Sequence, residues 1–340
     1  MPSPKPVRVT LGPAGSGKSR YAVALCRDGG WILVPSWAAA ESLRAGSEPR
    51  VYASTFRGLA MRVAKVKGSA IVSPPLRSFL LREAVRRAIA PNSYFSASAA
   101  RPGFVPAVGD LIREFKQALV SVEQFCRAAS AAAGMVDDPR FVEKCHSIAA
   151  VWQEYAELLS RYGYLDAEDL LSQAIEATPG WYSRQRIPVV VVDGFTTFTR
   201  QQLAFLAAIR TTGASLSICL TFDPARPVLF ARIARTLAEL RQHLSPLEEE
   251  HLTDRGFHLQ SEALRHVERR VFLEGEEDAA PVCDESVCIY SAPDPVMEAE
   301  MVARAICHLQ REGKPLARIG VVHRALSGSL PLLKSTFARY

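Results

Sequence analysis

An α/β fold built on a parallel sheet follows from three stretches of the 340-residue sequence. Gly12-Pro13-Ala14-Gly15-Ser16-Gly17-Lys18-Ser19 fits G-x-x-x-x-G-K-[ST], the phosphate-cradling P-loop. It stands between the alternating, β-branched Val7 to Leu11 and a helical segment, Lys18 to Cys26, which is the setting such a loop requires. Ile187 to Val192 is a continuous apolar run ending in Asp193, the pattern of a strand buried on both faces. Between these, Leu76 to Tyr162 repeats apolar residues at helical spacing, so about ninety residues are expected as an all-helical insertion.

The remaining elements fall into order around this frame. Trp31 to Pro35 reads as a buried strand after Gly29-Gly30, Trp37 to Ala45 as a helix, Val51 to Phe56 as a strand and Arg57 to Lys67 as a helix. Ser73-Pro74-Pro75 breaks the pattern. Helices are expected over Leu76 to Ala90, Val108 to Leu119, Val122 to Ala133 and Pro139 to Tyr162, with Pro91 to Pro106 a Ser/Ala/Pro-rich loop. Thr199 to Arg210 is a helix and Leu216 to Pro224 a strand and turn. Leu229 to His243 and Ser261 to Phe272 are helices around a charged loop. Val287 to Ala292 and Ile319 to Arg324 read as strands flanking the helix Met297 to Gln310. Two strands alone make a poor domain, so they either extend the first sheet or open a second α/β domain that continues. The expected divisions are 1–72 and 166–285 for the two parts of the P-loop domain, 73–165 for the insertion, and 286–340 for the start of the second domain.

The chemistry concentrates at strand ends. The loop glycines let consecutive N–H groups face one centre, and the helix N-terminus adds partial positive charge. ATP is the expected ligand of Gly12 to Ser19, with Lys18 reaching the β and γ phosphates and Ser19 on Mg²⁺. Asp193, at the C-terminal end of its strand, is the second Mg²⁺ partner or else the cap of the following helix. Charge is +6 overall and unevenly spread. Arg57 to Lys116 holds eleven Lys/Arg against three Asp/Glu, and Thr236 to Glu285 five against thirteen. That asymmetry fits either one half facing a polyanion or two solvated helical faces. Seven cysteines, an odd number without a C-x-x-C pair, fit reduced thiols of a cytoplasmic protein with no disulfide-linked partner. No apolar run approaches membrane-spanning length, so no membrane role is expected.

With these residues in view, the sequence resembles superfamily 1 DNA helicases of the UvrD/RecB kind, and most of all the helicase-like N-terminal region of the AddB family. Gly12 to Ser19 is similar to the ATP loop of that family, Leu33-Val34-Pro35-Ser36 to its next strand and turn, and Ser54-Thr55-Phe56-Arg57-Gly58-Leu59-Ala60 to its S-F-x-x-L-A stretch. Leu165-Asp166-Ala167-Glu168-Asp169-Leu170 resembles the acidic signature where a helical insertion rejoins the sheet. Val192-Asp193-Gly194-Phe195 resembles the second ATP motif, and Glu298 to Ala303 with Ile319 to Arg324 the opening of a second motor domain.

The resemblance implies a RecA-like fold with a second RecA-like domain beginning near the end of the sequence. It implies ATP and Mg²⁺ as cofactors and contact with single-stranded or duplex-end DNA through Pro35, Trp37, Thr55, Phe56 and Arg57. Phe56 is either a stacking face or a core residue. A larger AddA-like helicase–nuclease subunit is the implied partner, DNA break repair and recombination the implied setting, and Arg324 the implied γ-phosphate contact. The nuclease domain of that family, with its iron–sulfur cysteines, has no counterpart among these 340 residues. Active helicases place a Glu after the Mg²⁺ Asp, where this sequence has Gly194, and a Gln after the next strand, where it has Asp223-Pro224-Ala225-Arg226. Binding is therefore expected with weak or absent hydrolysis, Glu168 and Asp169 being the first substitutes for the missing Glu. An autonomous helicase, or a small-molecule P-loop kinase or nucleotide-gated binding module, are the competing readings.

Overall fold

A computed structural model describes residues 5–46, 51–136, 138, 140–185, 187–252, 261–272 and 284–340. The chain divides into two compact units, Met1–His258 and Leu259–Tyr340.

The first unit is organised by a six-stranded, all-parallel sheet. Its strands are β1 (Val7–Gly12), β2 (Trp31–Leu33), β3 (Tyr52–Ser54), β4 (Val189–Val192), β5 (Ser215–Thr221) and β6 (Leu247–His251), in the order β3-β2-β4-β5-β1-β6. Helices α1 (Lys18–Leu25) and α2 (Trp37–Gly46) follow β1 and β2, and α3 (Phe56–Val63) follows β3. Parallel pairing requires such crossovers and demands apolar residues on both faces of the central strands. Val190, Val191 and Val192 of β4 meet this demand, all nearly inaccessible. One face of the sheet buries Val9, Leu11, Leu33 and Val192 with α3; the other buries Ile32, Val191 and Cys219 with α1 and α2. Because every strand runs the same way, the P-loop, Pro35, Thr55, Asp193 and Asp223 all follow strand ends at one edge of the sheet.

Strand β6 stands where the sequence pattern predicts only charged loop. Its Glu248, Glu249 and Glu250 carry no hydrophobic signal, yet their backbone pairs with Arg8, Val9 and Thr10 of β1. An edge strand needs only one neighbour, and charged side chains there block further pairing.

The insertion comprises α4 (Pro74–Ala88), α5 (Ser96–Ala99), α6 (Phe104–Gln117), α7 (Val122–Ala132) and α8 (Phe141–Tyr162) around its own core of Leu80, Ile112, Val151, Trp152, Tyr155 and Leu158. Pro74 and Pro75 do not break this region; they occupy the first turn of α4, where proline lacks only a redundant N–H. α6 starts at Phe104, inside the expected loop. A reciprocal Ser121–Gln124 capping box starts α7, and Gly163, left-handed, stops α8. The chain leaves and regains the sheet domain at one place. Val72 N donates to Leu165 O and Leu165 N to Ala70 O, both at 2.9 Å. Helix α9 (Ala167–Gln185) then leads to β4, and α10 (Arg200–Thr211, capped by Thr199) and α11 (Ala231–Leu244) complete the unit.

The second unit holds α12 (Glu262–Arg270), α13 (Pro295–Arg311, capped by the Asp294 carboxylate) and α14 (Leu326–Phe337), the last two packed together. The strands expected at Val287 to Ala292 and Ile319 to Arg324 are not formed among the described residues. Ile289 is 94% and Val322 98% exposed. A strand exists only through a paired neighbour, and neither segment has one among the described residues. No helix among the described residues is long and apolar enough to cross a membrane.

Candidate functional site

The P-loop closes around its own lysine. Gly17 adopts φ +88°, a left-handed turn that launches α1 without a side-chain cap, and Tyr21 N donates to Gly17 O at 2.9 Å. Lys18 is buried, and its Nζ donates to Gly12 O at 2.9 Å, Pro13 O at 2.6 Å and Ser16 Oγ at 3.4 Å. Burial lowers its pKa, with the Asp193 carboxylate pulling the opposite way. An ammonium held on neutral carbonyls can exchange them for phosphate oxygens, a stronger, charge-assisted contact.

Asp193 is buried at the end of β4, its N–H donating to Leu33 O at 2.9 Å. Its Oδ2 accepts from Ser19 Oγ at 2.7 Å, joining residues 174 apart in sequence. No group of three or more His, Cys, Asp or Glu among the described residues converges on a metal position. Mg²⁺ keeps several waters and takes one or two protein oxygens together with phosphates. The Ser19–Asp193 pair fits that demand without a larger cage. The nearby Cys219 thiol is pushed up to about 12, first by burial and then by Asp193, so it stays protonated and inert.

Gly194 stands at φ +81°, and a Cβ there would lie 3.3 Å from Pro35 Cδ. Asp223, after β5, is buried against Arg226 at 3.0 Å, while Phe222 N binds Gly12 O and fixes this turn beside the loop. Lys116 Nζ holds Asp166 at 2.6 Å and Asp169 at 2.8 Å, and Gln117 donates to Glu168 at 3.1 Å. These carboxylates clip α6 of the insertion to α9. Burial, with the adjacent Asp166, raises Asp169 to about 6. Glu168 and Asp169, expected as substitutes for the missing Glu, thus have structural partners instead.

The residues expected on DNA divide by exposure. Pro35, Trp37 and Arg57 are exposed, and the Arg44 guanidinium lies 4.6 Å above the Trp37 ring. Thr55 caps α3, its Oγ1 accepting from Gly58 N at 3.1 Å. Phe56 is only 6% exposed and packs edge-on against Phe195 at 5.2 Å and Phe198 at 6.4 Å. Its ring belongs to the core and offers no face to a base. Sequence reasoning misses Tyr52, half exposed and stacked on Trp31 at 5.4 Å, with Arg62 5.2 Å over Trp31. With Trp37 and Arg44 they line a cleft of about 720 Å³ beside the edge strand β3. Arg324 lies in the second unit and is exposed.

A sequence model of the ADDB N-terminal family matches residues 40–268. Three similar proteins each carry the name of an ATP-dependent helicase/deoxyribonuclease subunit. The one from Pelotomaculum thermopropionicum is 27% identical over 98% of this chain and 31% of its own length. That from Symbiobacterium thermophilum is 28% identical over 98% and 32%, and that from Clostridium novyi 26% over 72% and 22%. The chain therefore spans about a third or less of the relatives it matches. The family match over two thirds of the chain, joined to an all-parallel RecA-like sheet with its helical insertion, places this protein in the AddB family as an N-terminal region.

Proposed function

We propose that the chain is an ATP–Mg²⁺-binding, DNA-gripping module of a bacterial cytoplasmic helicase–nuclease. It acts beside a larger AddA-like subunit in double-strand break repair and recombination, with slow or absent hydrolysis of its own. The observation that carries this reading is the 2.7 Å Ser19–Asp193 hydrogen bond beside the P-loop, with left-handed Gly194 where related motors carry a carboxylate. The pair supplies a Mg²⁺ shell; Gly194 has no group to orient or deprotonate water, and losing a general base costs roughly 10²–10⁴-fold in rate. The exposed Trp37, Tyr52, Arg44 and Arg57 support single-stranded DNA on the same domain through stacking and phosphate contacts.

The test separates binding from turnover. A fluorescent ATP analogue with Mg²⁺ is expected to bind, and Lys18→Ala to weaken it by at least about tenfold, roughly 1.4 kcal/mol. Steady-state phosphate release, with or without single-stranded DNA, is expected below about 1 s⁻¹. Equal binding by wild type and Lys18→Ala would remove the P-loop reading; faster, Lys18-dependent turnover would remove the claim of weak hydrolysis.

A further inference from the structure

The helical insertion carries a second surface whose chemistry differs from that of the nucleotide and DNA sites. A cavity of about 920 Å³ opens between α4 and the start of α6, bounded on one side by α5. Its floor is aliphatic: Leu81, Val85, Ile89 and Val105. Its rim carries Arg77, Arg82, Arg86 and Arg101 against one carboxylate, Asp110. Some of these charges are engaged. Arg77 Nη2 donates to Gly109 O at 2.7 Å, Arg86 grips Glu83 at 2.7 and 2.8 Å, and Asp110 pairs with Arg113 at 3.1 Å. Arg82 and Arg101 are exposed and make no ion pair or side-chain hydrogen bond among the described residues.

Size and chemistry together select the occupant. From Arg77 to Ala88 the groove wall is three turns of α4, roughly 17 Å. A helix about 10 Å across and of that length fills roughly 1,300 Å³. A cavity of about 920 Å³ is of the same order, room enough to seat one face of such a helix. An aliphatic floor demands an apolar stripe at i, i+4 and i+7, and unpaired arginines on the rim demand carboxylates beside that stripe. The lining has no aromatic ring on which a base would stack. A sugar–phosphate strand would also set charged, hydrated groups against Leu81, Val85, Ile89 and Val105. We propose that this groove docks an acidic amphipathic helix of a protein partner, its apolar stripe on the α4–α6 floor and its carboxylates on Arg82 and Arg101. The proposal is independent of the nucleotide and DNA reading.

The whole 340-residue chain is titrated against a fluorescein-labelled designed peptide of about 18 residues, with leucines along one helical stripe and glutamates elsewhere, read by anisotropy. Saturable binding is expected. A scrambled peptide of the same composition and a peptide with lysines for glutamates should each bind at least about tenfold more weakly. The double variant Arg82→Glu/Arg101→Glu, with thermal melting unchanged from wild type, should lose at least about tenfold in peptide affinity and keep its affinity for a single-stranded oligonucleotide. The proposal is overturned by no binding, by equal binding of ordered and scrambled peptides, or by unchanged peptide affinity in the double variant. Competitive displacement of the peptide by the oligonucleotide, with the double variant losing DNA affinity, would overturn it in favour of nucleic acid.

Discussion

Replacing Gly194 tests the nucleotide site through its backbone. Its φ of +81° lies in the region where a Cβ crowds the following carbonyl, costing roughly 1–2 kcal/mol for an ordinary L residue. The added Cβ would also stand 3.3 Å from Pro35 Cδ, so the proline ring must give by a few tenths of an ångström. Gly194→Ala is therefore expected to destabilise the first unit by about 1–2 kcal/mol, a fall in Tm of about 2–8 °C for a unit of this size. Gly194→Asn, which tolerates the left-handed region, should fall less. Pro35→Ala removes the ring contact and leaves the φ, so a double-mutant cycle with Gly194→Ala separates contact from strain. Gly194→Glu should be at least as destabilised as Ala and should not raise ATP turnover, because the strained backbone does not hold its carboxylate in a catalytic position. The assays are thermal melting by circular dichroism and steady-state phosphate release. An Ala variant melting within about 1 °C of wild type, below the shift expected for this strain, or a Glu variant hydrolysing about a hundredfold faster, the low end of a general base's effect, would refute this account.

Other expectations follow from the same geometry. Trp37→Ala and Tyr52→Ala should each weaken single-stranded DNA binding, by roughly 1–3 kcal/mol per lost stacking contact. Phe56→Leu should lower stability and leave DNA affinity unchanged; anisotropy with an oligonucleotide and a melting curve distinguish the two, and a Phe56-specific loss of DNA affinity would contradict its core placement. Asp169 has a folded pKa raised to about 6, from an ordinary value of 3.8, by burial and by Asp166. Its contribution to stability is thus fully present below about pH 4 and is lost as pH rises through about 6. Wild type minus Asp169→Asn, compared by urea midpoints, should therefore decrease between about pH 4 and about pH 7, and a pH-independent difference would show that Asp169 titrates normally. Ser19→Ala should reduce the Mg²⁺ dependence of nucleotide binding more than binding without Mg²⁺, seen by titrating the ATP analogue with and without the metal. An equal effect in both conditions would detach Ser19 from the metal.

What is legible in the sequence is local. The P-loop, its flanking strand and helix, and Asp193 at the end of a four-valine run each declare themselves within about a dozen residues. Features that depend on pairing are not legible. β6 is a strand because Val9 and Thr10 lie beside Glu249 and Glu250, and nothing in a row of glutamates says so. Conversely, Val287 to Ala292 and Ile319 to Arg324 carry strand-like composition without a paired neighbour among the described residues. Trp31 and Tyr52 stack because they share one register position on β2 and β3. Lys116 finds Asp166 and Asp169 across about fifty residues of helix, so a motif that reads as catalytic in one dimension becomes a clip in three. Phe56 sits in a stretch the family resemblance assigns to DNA, but the first turn of α3 points its ring inward.

The bridge between Ile71 and Leu165 has a consequence for how such proteins diversify. The two ends of a ninety-odd-residue excursion are fastened side by side by a pair of backbone hydrogen bonds, which do not depend on side-chain identity. The bridge itself is thus indifferent to the length of what is spliced in there, whereas the Lys116 clip to Asp166 and Asp169 belongs to this particular insertion. A different module entering after Ile71 and leaving before Leu165 would keep these two backbone bonds but would have to supply its own cation for Asp166 and Asp169. That site is the natural place to graft a reporter or a foreign binding module. A graft whose termini lie within about 5 Å of each other, the spacing of neighbouring strands, would inherit the backbone bridge.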